Sequence, residues 1–482
     1  MPTVQRAGLV LRPDSSRVLL RSFNPTTEQR SLKIIARIVS MSEEQVCSEL
    51  AQVLSEFQAR HRHFQTLLLK RFSQVKALLL SDAPLSEERK LLIGAYFSQE
   101  YALESAALFN PSLVWSPDQS GLPEGSRRFV LSLRATGEGH ISSITFRGGV
   151  VDYANRIRME PPTRYVTSPE VMANPTYELA LFKHKLYEMD HWDDFTETAL
   201  STLKEHFTLD ELKASVKRVE RQNRRRFPGE VVSSRSLMTL ALSNYEVAYS
   251  HNQPLSERII FPTSPTEING IEDARFVQFY EEDGQTDYYA TYTAYDGKMT
   301  MPQILKTRDF LHFEMSTLNG PEVQNKGMAL FPRRIGGQYA MLSRQDNENL
   351  FIMFSDNLHF WYVKESLLKP TYAWEYVQLG NCGSPIETEA GWLVLTHGVG
   401  AMRKYSIGAI LLDINDPAKV IGRMREPLLT PDANEREGYV PNVVYSCGAQ
   451  IHGDHLLLPY AMSDYASAFA FIPLEEIFKS ME

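Results

Sequence analysis

Two similar segments lie about 47 residues apart, and this spacing constrains the fold more than any other feature of the chain. The segments are KTRDFLHFE at 306–314 and FSDNLHFWY at 354–362, and each follows a run of alternating apolar residues. Such a period is typical of β-propeller blades, because each small sheet buries its faces only against its neighbours around a ring. A β-sandwich or a β-helix would also supply short strands with turns. The period favours a propeller, with room for about five or six blades.

The strand-rich pattern does not cover the whole chain. Residues 1–107 are predicted to form a mainly helical extension after a short leading strand or arm. Within them, Ser42 and Gln45 have the spacing of a capping box, and the apolar periodicity over 42–80 predicts one long amphipathic helix. Residues 108–482 have short apolar runs cut by Gly, Asp and Asn, which indicate strands and turns. A helical pattern at about 174–227 is predicted to be an insertion in this part.

Composition and charge exclude several classes of protein. The chain has 482 residues with a formal net charge of −9, so a general attraction for nucleic acid or for anionic lipid is not expected. We find no run of about 18 apolar residues and no signal-peptide pattern, which predicts a cytoplasmic protein that does not span a membrane. The three cysteines lack metal-ligand spacing, so neither a zinc site nor a disulfide framework is predicted.

Charged side chains interrupt several apolar strands. In IEDAR at 271–275, three charges stand at the start of a predicted strand. In a propeller the innermost strands surround a central funnel, so charges at equivalent depths of successive blades would line one cavity. Any one of these charged residues could instead form an ion pair that only stabilises the fold. Similar interruptions occur at 108–114, 129–146, 325–346, 383–400 and 458–469.

Seven segments, in chain order, resemble glycoside hydrolase family 130, the β-mannoside phosphorylases and β-1,2-mannosidases built on five-bladed propellers. They are GIEDAR, KGMALFPRRIGGQY, SRQD, GSPIETEAGWLVLTHGV, YSIGAILLDINDPAKVIGR, EREGYVPNVVY and YAMSD. The resemblance runs from about residue 110 to the last strand. It implies an all-β five-bladed β-propeller in residues 108–482, with an N-terminal helical extension and a helical insertion.

The resemblance also implies roles for individual residues. Asp273 matches the general acid of the family's EDPR motif, although Ala274 replaces the proline. Asn110 and Asp464 fall where the family holds the mannosyl unit. Arg275 is counted among the substrate-binding residues, and with Glu272 it is expected to hold the loop of Asp273. The residues that match the family's phosphate-binding positions are Arg134, Lys326, Arg344, His397 and Tyr405. Asparagine is common in the family where this chain has Gly327.

Two chemistries remain open at such a site. Phosphorolysis needs one acid and a cluster of cations, because phosphate is itself the nucleophile. Inverting hydrolysis needs a second carboxylate to activate water. The candidates for that base are Glu387, Glu389, Glu435 and Glu437. The basic set favours phosphorolysis, in which a β-mannoside and inorganic phosphate give α-mannose 1-phosphate with inversion, and Asp273 acts as the general acid.

The alternatives are an inverting β-1,2-mannosidase, a retaining glycosidase on a related propeller and a non-catalytic carbohydrate-binding propeller. No metal or cofactor is predicted besides phosphate as co-substrate, and the expected partner is a β-mannoside oligosaccharide. The amphipathic helices of the extension must bury an apolar stripe. They would bury it against the propeller or against another subunit, so a homo-oligomer stays open.

Overall fold

The structure is a computed structural model that describes residues 2–172, 176–222 and 230–482. Residues 174, 175 and 223–227 of the predicted helical insertion therefore lie outside the described residues. The chain begins with two strands, four helices and a third strand. These are β1 (Gln5–Leu11), β2 (Val18–Ser22), α1 (Glu28–Val39), α2 (Glu43–Phe57), α3 (Phe64–Val75), α4 (Glu87–Tyr96) and β3 (Ser98–Ala102).

Helix α2 begins as the sequence predicts, but it is shorter. The Ser42 hydroxyl accepts a hydrogen bond from the Gln45 amide at 3.2 Å, and the Gln45 side chain accepts one from the Ser42 amide at 2.9 Å. The prediction of one long helix over 42–80 is wrong, because the helix is interrupted before α3 and His63 has a left-handed φ of 52°. The buried His61 ring bonds Glu100 on β3 at 2.9 Å, a contact that helps to hold the interruption in place.

A first sheet and an inserted region follow. The elements, in chain order, are β4 (Ala107–Trp115), β5 (Arg127–Thr136), β6 (Ser142–Val151), β7 (Ile157–Met159), β8 (Glu170–Met172), β9 (Thr176–Glu178), α5 (Leu179–Glu188), α6 (Asp194–Leu200), β10 (His206–Thr208), α7 (Leu209–Gln222), α8 (Glu230–Leu242), β11 (Tyr245–Ala248) and β12 (Ile259–Ile260). The first sheet contains β4, β5, β6, β7 and β12. Strands β9 and β10 pair with each other and belong to the insertion with helices α5 to α8.

Four more sheets complete the chain. The second sheet contains β13 (Ile271–Tyr280), β14 (Thr286–Tyr295), β15 (Thr300–Thr307) and β16 (His312–Thr317), and β11 and β8 extend it. The third contains β17 (Ala329–Leu330), β18 (Tyr339–Ser343), β19 (Leu350–Ser355) and β20 (Lys364–Leu368). The fourth contains β21 (Gln378–Asn381), β22 (Ile386–Thr388), β23 (Gly391–Val399), β24 (Tyr405–Leu412) and β25 (Val420–Arg423). The fifth contains β26 (Val444–Tyr445), β27 (Gln450–His452), β28 (His455–Met462) and β29 (Ala466–Pro473), before the last helix α9 (Leu474–Lys479).

Apolar clusters join each of these five sheets to the next and the fifth to the first. They fill the interfaces between the first and second sheets, the second and third, the third and fourth, the fourth and fifth, and the fifth and first. Alternate side chains of a strand face opposite neighbours, as the period of a strand requires. On β18, Met341 packs toward the second sheet and Leu342 packs toward the fourth. The five sheets therefore form a closed ring, and the predicted all-β class is confirmed.

The repeat that predicts the fold marks equivalent positions in two sheets. The segment 306–314 covers the connection from β15 to β16, and 354–362 covers the connection from β19 toward β20. Each is the passage from the third to the fourth strand of its sheet. The similarity therefore reflects the same local turn used twice around the ring.

The N-terminal residues are not all helical. Strand β1 pairs antiparallel with β29, so Gln5 lies opposite Phe471 and the chain's first strand completes the fifth sheet. Helices α1 to α4 pack around a separate apolar cluster that includes Ile35, Val46 and Leu92. The boundary at residue 107 stays a prediction. No helix within the described ranges is long and apolar enough to cross a bilayer.

Glu104 is completely buried and holds two arginines. Both of its carboxylate oxygens accept hydrogen bonds from Arg147 of the first sheet, at 2.7 and 2.8 Å, and one also accepts from the buried Arg17. We expect Glu104→Ala to lower the free energy of unfolding by about 3–5 kcal/mol, because it leaves two buried cations without their carboxylate. Urea denaturation measures the loss. The control is Glu475→Ala, which removes an exposed ion pair with Lys479; equal losses in the two variants would contradict the expectation.

Candidate active site

A polar cavity of about 390 Å³ is lined by residues that lie in or next to strands of all five sheets of the ring. Eight of the predicted site residues line it, namely Asn110, Arg134, Asp273, Lys326, Arg344, His397, Tyr405 and Asp464. Arg275 is only 1% exposed and is not among the lining residues. The cavity thus brings together side chains that lie up to 354 positions apart in the chain (464 − 110).

Three of these residues have a backbone conformation that is rare for side chains other than glycine. The φ angles of Asn110, Asp273 and Asp464 are 49°, 50° and 49°. Asn110 and Asp273 lie at shifts of strand register, between Phe109 and Ser112 on β4 and between Glu272 and Arg275 on β13. Such irregularities re-aim side chains and are concentrated at functional sites. Asparagine and aspartate tolerate this conformation better than most residues, which explains their presence here.

Asp273 is surrounded by donors. Its Oδ1 accepts a hydrogen bond from the Asn110 amide at 2.6 Å and lies 3.4 Å from Nη1 of Arg134. The Arg275 guanidinium donates to the backbone carbonyl of Asp273 at 3.0 Å. Burial raises the pKa of Asp273, but the charges of Arg134, Arg275 and Lys326 and the Asn110 bond outweigh it. The net pKa lies below its ordinary value, so the acid is ionised at neutral pH in the ligand-free protein.

The two charged neighbours of Asp273 have different contacts. Arg275 holds the loop of Asp273, as the sequence predicts, through the backbone carbonyl. Glu272 instead accepts hydrogen bonds from Arg134 at 3.0 Å and from Lys326 at 2.6 Å. Glu272 therefore positions two cations of the predicted phosphate site.

Among the described residues, Arg344 has no carboxylate partner. Its closest side-chain acceptor is Oδ1 of Asn347, at 3.5 Å, and its Nε has no hydrogen-bond partner within the residues that the structure describes. Only 9% of the residue is exposed. A buried cation normally has an anion beside it, because desolvating a lone charge is costly. This arginine is therefore suited to bind an anionic ligand.

His397 does not fit the cationic donor role that the sequence suggests for it. Burial, followed by the charges of Arg344 and Arg275, lowers the pKa of His397 well below its ordinary value, so the ring is neutral. Nδ1 lies 3.2 Å from the carbonyl oxygen of Asn381. A carbonyl only accepts, so Nδ1 carries the hydrogen and Nε2 is an acceptor. His397 can accept a hydrogen bond from a protonated ligand oxygen.

Gly327 has a local structural reason. Its φ is +88°, and a Cβ atom there would lie 2.5 Å from Nε of Arg344. The asparagine that is common in the family would therefore displace Arg344 in this protein. Because glycine has no side chain, Arg344 has room to pack against the backbone of Gly327.

Asp464 differs electrostatically from Asp273. Burial, followed by the negative charge of Asp273, raises the pKa of Asp464 to about 7, although Arg134 and Arg403 oppose the rise. In the ligand-free protein, Asp464 and not Asp273 thus holds a proton near neutral pH. The sequence does not show how many cations face each carboxyl, so it could not decide between burial and charge at Asp273.

We expect the stability of the protein to reflect this raised pKa. Between the ordinary value of 3.8 and about 7, folded Asp464 keeps a proton that the unfolded chain has released. The free energy of unfolding should therefore receive its full contribution from Asp464 at low pH and lose it as the pH rises through 7. Asp464→Asn should remove this part of the pH dependence in urea unfolding, since asparagine does not titrate. The same dependence in both proteins would contradict the assignment.

The predicted alternative bases lie elsewhere. Glu387 is paired with Arg333 at 2.7 Å, and Glu435 is paired with Arg6 at 2.9 Å. Glu389 and Glu437 are exposed. None of the four lines the cavity. Across the described ranges no cluster of three or more His, Cys, Asp or Glu residues could hold a metal ion.

Sequence reasoning did not single out several lining residues, including Arg403, Asn325 and Tyr445. Tyr445 belongs to the quoted segment EREGYVPNVVY, and Asn325 precedes Lys326. The sequence signal that could have identified Tyr445 and Asn325 is their position within or next to a segment that resembles the family. Their place in the lining of the cavity, which is a property of the folded chain, identifies them here.

The cavity contains a carboxyl held among cations and a buried arginine that no described carboxylate pairs with, which defines a site for a polar ligand with negative charge. The family model of glycoside hydrolase family 130, described as beta-1,4-mannooligosaccharide phosphorylase, matches residues 237–482. The chain belongs to this family, and the resemblance seen in the ordered motifs is confirmed.

Individual relatives were also found. A 1,2-beta-oligomannan phosphorylase of Thermoanaerobacter sp. (strain X514) is 34% identical over 230 residues, which cover 46% of this chain and 75% of the relative. A beta-1,2-mannobiose phosphorylase of Listeria innocua is 32% identical over 255 residues, covering 50% and 70%. The solved structure of the Listeria innocua beta-1,2-mannobiose phosphorylase with beta-1,2-mannobiose has a TM-score of 0.47 and 23% identity, and covers 79% of this chain and 92% of that one.

Proposed function

We propose that this protein is an inverting glycoside phosphorylase that cleaves β-mannosides with inorganic phosphate to give α-mannose 1-phosphate, on a five-bladed β-propeller. The observation that carries the proposal is the buried Arg344, which lies in the same cavity as Asp273 and has no carboxylate partner in the part of the chain that the structure describes. Membership of the family and the phosphorylase names of the relatives support it. Phosphate is a co-substrate in this proposal, and no cofactor is needed.

Arg344, Arg134 and Lys326 hold the phosphate. Guanidinium and ammonium groups bind phosphate through charge-assisted hydrogen bonds, which are the strong ones in a cavity with little water. Glu272 fixes Arg134 and Lys326 in place and leaves further N–H groups of both for the ligand. Neutral His397 accepts from a protonated phosphate oxygen. The negative charge of the cavity carboxylates alone would repel phosphate, so the cations decide its binding.

Asp273 delivers the proton to the departing sugar. In the ligand-free site the nearby cations hold the pKa of Asp273 low. A phosphate dianion beside the same cations offsets their field and so favours the protonated carboxyl. Asn110 and Asp464 hold the mannosyl unit, and the proton reaches the glycosidic oxygen directly or through the mannosyl 3-hydroxyl. Phosphate attacks the anomeric carbon from the opposite face, which inverts its configuration without a second carboxylate.

Hydrolysis is less well supported by the geometry. A water nucleophile needs a carboxylate base, and the four glutamates considered for that role do not line the cavity. The cytoplasmic location and an oligomer through helices α1 to α4 stay predictions.

A product assay tests the proposal. The protein is incubated with β-1,2-linked and β-1,4-linked mannobiose, each with and without inorganic phosphate, and the sugars are separated. We expect mannose 1-phosphate only when phosphate is present, together with one equivalent of the acceptor sugar. Free mannose released at the same rate without phosphate would contradict the proposal, and so would the absence of any cleavage of β-mannosides.

A further inference from the structure

Tyr445 is a buried tyrosine whose hydroxyl is held by the arginine behind the acid. The residue lies on β26, lines the cavity and is 6% exposed. Nη2 of Arg275 donates a hydrogen bond to the Tyr445 hydroxyl oxygen at 2.7 Å. The same guanidinium holds the backbone carbonyl of Asp273. Arg275 therefore connects the acid to Tyr445.

The direction of this hydrogen bond leaves the tyrosine hydrogen available. Arginine has only donors, so the Tyr445 oxygen accepts and its own O–H points elsewhere. No acceptor for that O–H is found among the residues with described positions. Burial is the main cause that raises the pKa of Tyr445 above its ordinary value, so the phenol remains protonated and remains a donor at neutral pH.

The ring of Tyr445 lies on the phosphate side of the cavity. It packs edge-on against the His397 ring with centroids 5.0 Å apart, and His397 stacks on Tyr405 at 6.0 Å. The charges that act on the phenol are those of Arg275, Asp273 and Arg344, and the Cys447 thiol also lies near it. The phenol thus lies in the wall of the cavity that Asp273 and Arg344 also line.

We propose that the Tyr445 hydroxyl donates a hydrogen bond to an oxygen of the bound phosphate and is a further catalytic residue of this site. This inference rests on the proposed phosphorylase function. Arg275 polarises the phenol by donating to its oxygen, which strengthens the bond that the phenol gives. In this proposal Tyr445 and Arg344 contact different oxygens of the bound phosphate. Both contacts persist while the charge of the phosphate redistributes during its attack.

Tyr445→Phe tests the inference, because it keeps the ring against His397 and removes only the hydroxyl. In phosphorolysis of mannobiose, we expect KM for phosphate to rise about 10- to 100-fold, as the loss of a hydrogen bond to a charged group does. KM for mannobiose should change by no more than about twofold, because the sugar loses no contact. Calorimetric titration with inorganic phosphate should show the same loss of affinity.

The matched control is Tyr460→Phe. That hydroxyl is also buried in the fifth sheet and donates to Glu435 at 2.6 Å, but Tyr460 does not line the cavity. We expect its KM for phosphate to stay near that of the unmodified protein.

Three outcomes separate the possibilities. A phosphate-specific rise of KM in Tyr445→Phe supports the inference. A fall in kcat with unchanged KM and unchanged phosphate titration would overturn it, since Tyr445 would then only position Arg275. An unmodified protein that cleaves β-mannosides without phosphate would overturn the proposed function itself, and the inference with it.

Discussion

Asp273→Asn is expected to lower kcat about 10²- to 10⁴-fold while the protein still folds, as the loss of a general acid does. Asparagine has nearly the same shape and can still accept the hydrogen bond that Asn110 donates. It cannot transfer a proton to the glycosidic oxygen. A carbohydrate-binding protein without catalysis would not depend on this proton, so the variant also tests that alternative. Steady-state phosphorolysis of mannobiose measures the effect, and circular dichroism checks the fold.

The control for this variant is Asp287→Asn. Asp287 is also a buried carboxylate held by cations, Arg308 and Lys306, but it lies outside the cavity. Turnover by the control should remain close to normal. Near-normal cleavage of mannobiose by Asp273→Asn would exclude Asp273 as the acid.

A 3-deoxymannoside tests the route of the proton separately, and normal cleavage of that substrate would exclude only the relay through the 3-hydroxyl.

Arg344→Met is expected to raise KM for phosphate about 10²-fold, with a smaller change in KM for the mannoside, because a desolvated charge-assisted contact is lost. Methionine keeps much of the apolar stem and removes the guanidinium. Phosphate titrations at saturating mannobiose measure the change. High salt should weaken phosphate binding less in the variant than in the unmodified protein.

Arg333→Met is the corresponding control. Arg333 pairs with Glu387 near the surface and is not a lining residue of the cavity. Its loss should leave both KM values nearly unchanged. Equal rises of KM for phosphate and for mannoside in Arg344→Met would show that Arg344 does not distinguish the two substrates, which contradicts its assignment to phosphate.

The sequence predicts the strand-rich ring and most of its cavity, and the reasons for success and failure are physical. The repeat at 306–314 and 354–362 is local, because the same turn joins the third and fourth strands of two sheets. The capping box at Ser42 is also local, and it forms as predicted. By contrast, the pairing of β1 with β29 joins opposite ends of the chain, and no spacing reveals it. The helix interruption before α3 likewise involves a bond to Glu100, which lies far along the chain.

At the site, too, local sequence features could be predicted, whereas properties that depend on contacts between distant residues could not. Polar and charged residues within or next to apolar strands indicate which side chains gather, because the ring brings those positions together. Protonation states depend on the environment that results. His397 is neutral since it is buried beside two arginines. Burial and then the charge of Asp273 raise the pKa of Asp464, whereas at Asp273 three cations and the Asn110 hydrogen bond outweigh burial. Sequence spacing gives neither burial nor the number of facing charges.

The proposed function requires that phosphate, and not water, attacks the mannosyl unit in this cavity. Phosphorolysis of β-1,2-mannobiose in water enriched with oxygen-18 tests it most directly, with the products followed by phosphorus NMR and mass spectrometry. We expect a single α-anomer of mannose 1-phosphate whose sugar carries no label from the water. Free mannose with oxygen-18 at its anomeric carbon, formed as the main product in the presence of phosphate, would contradict attack by phosphate.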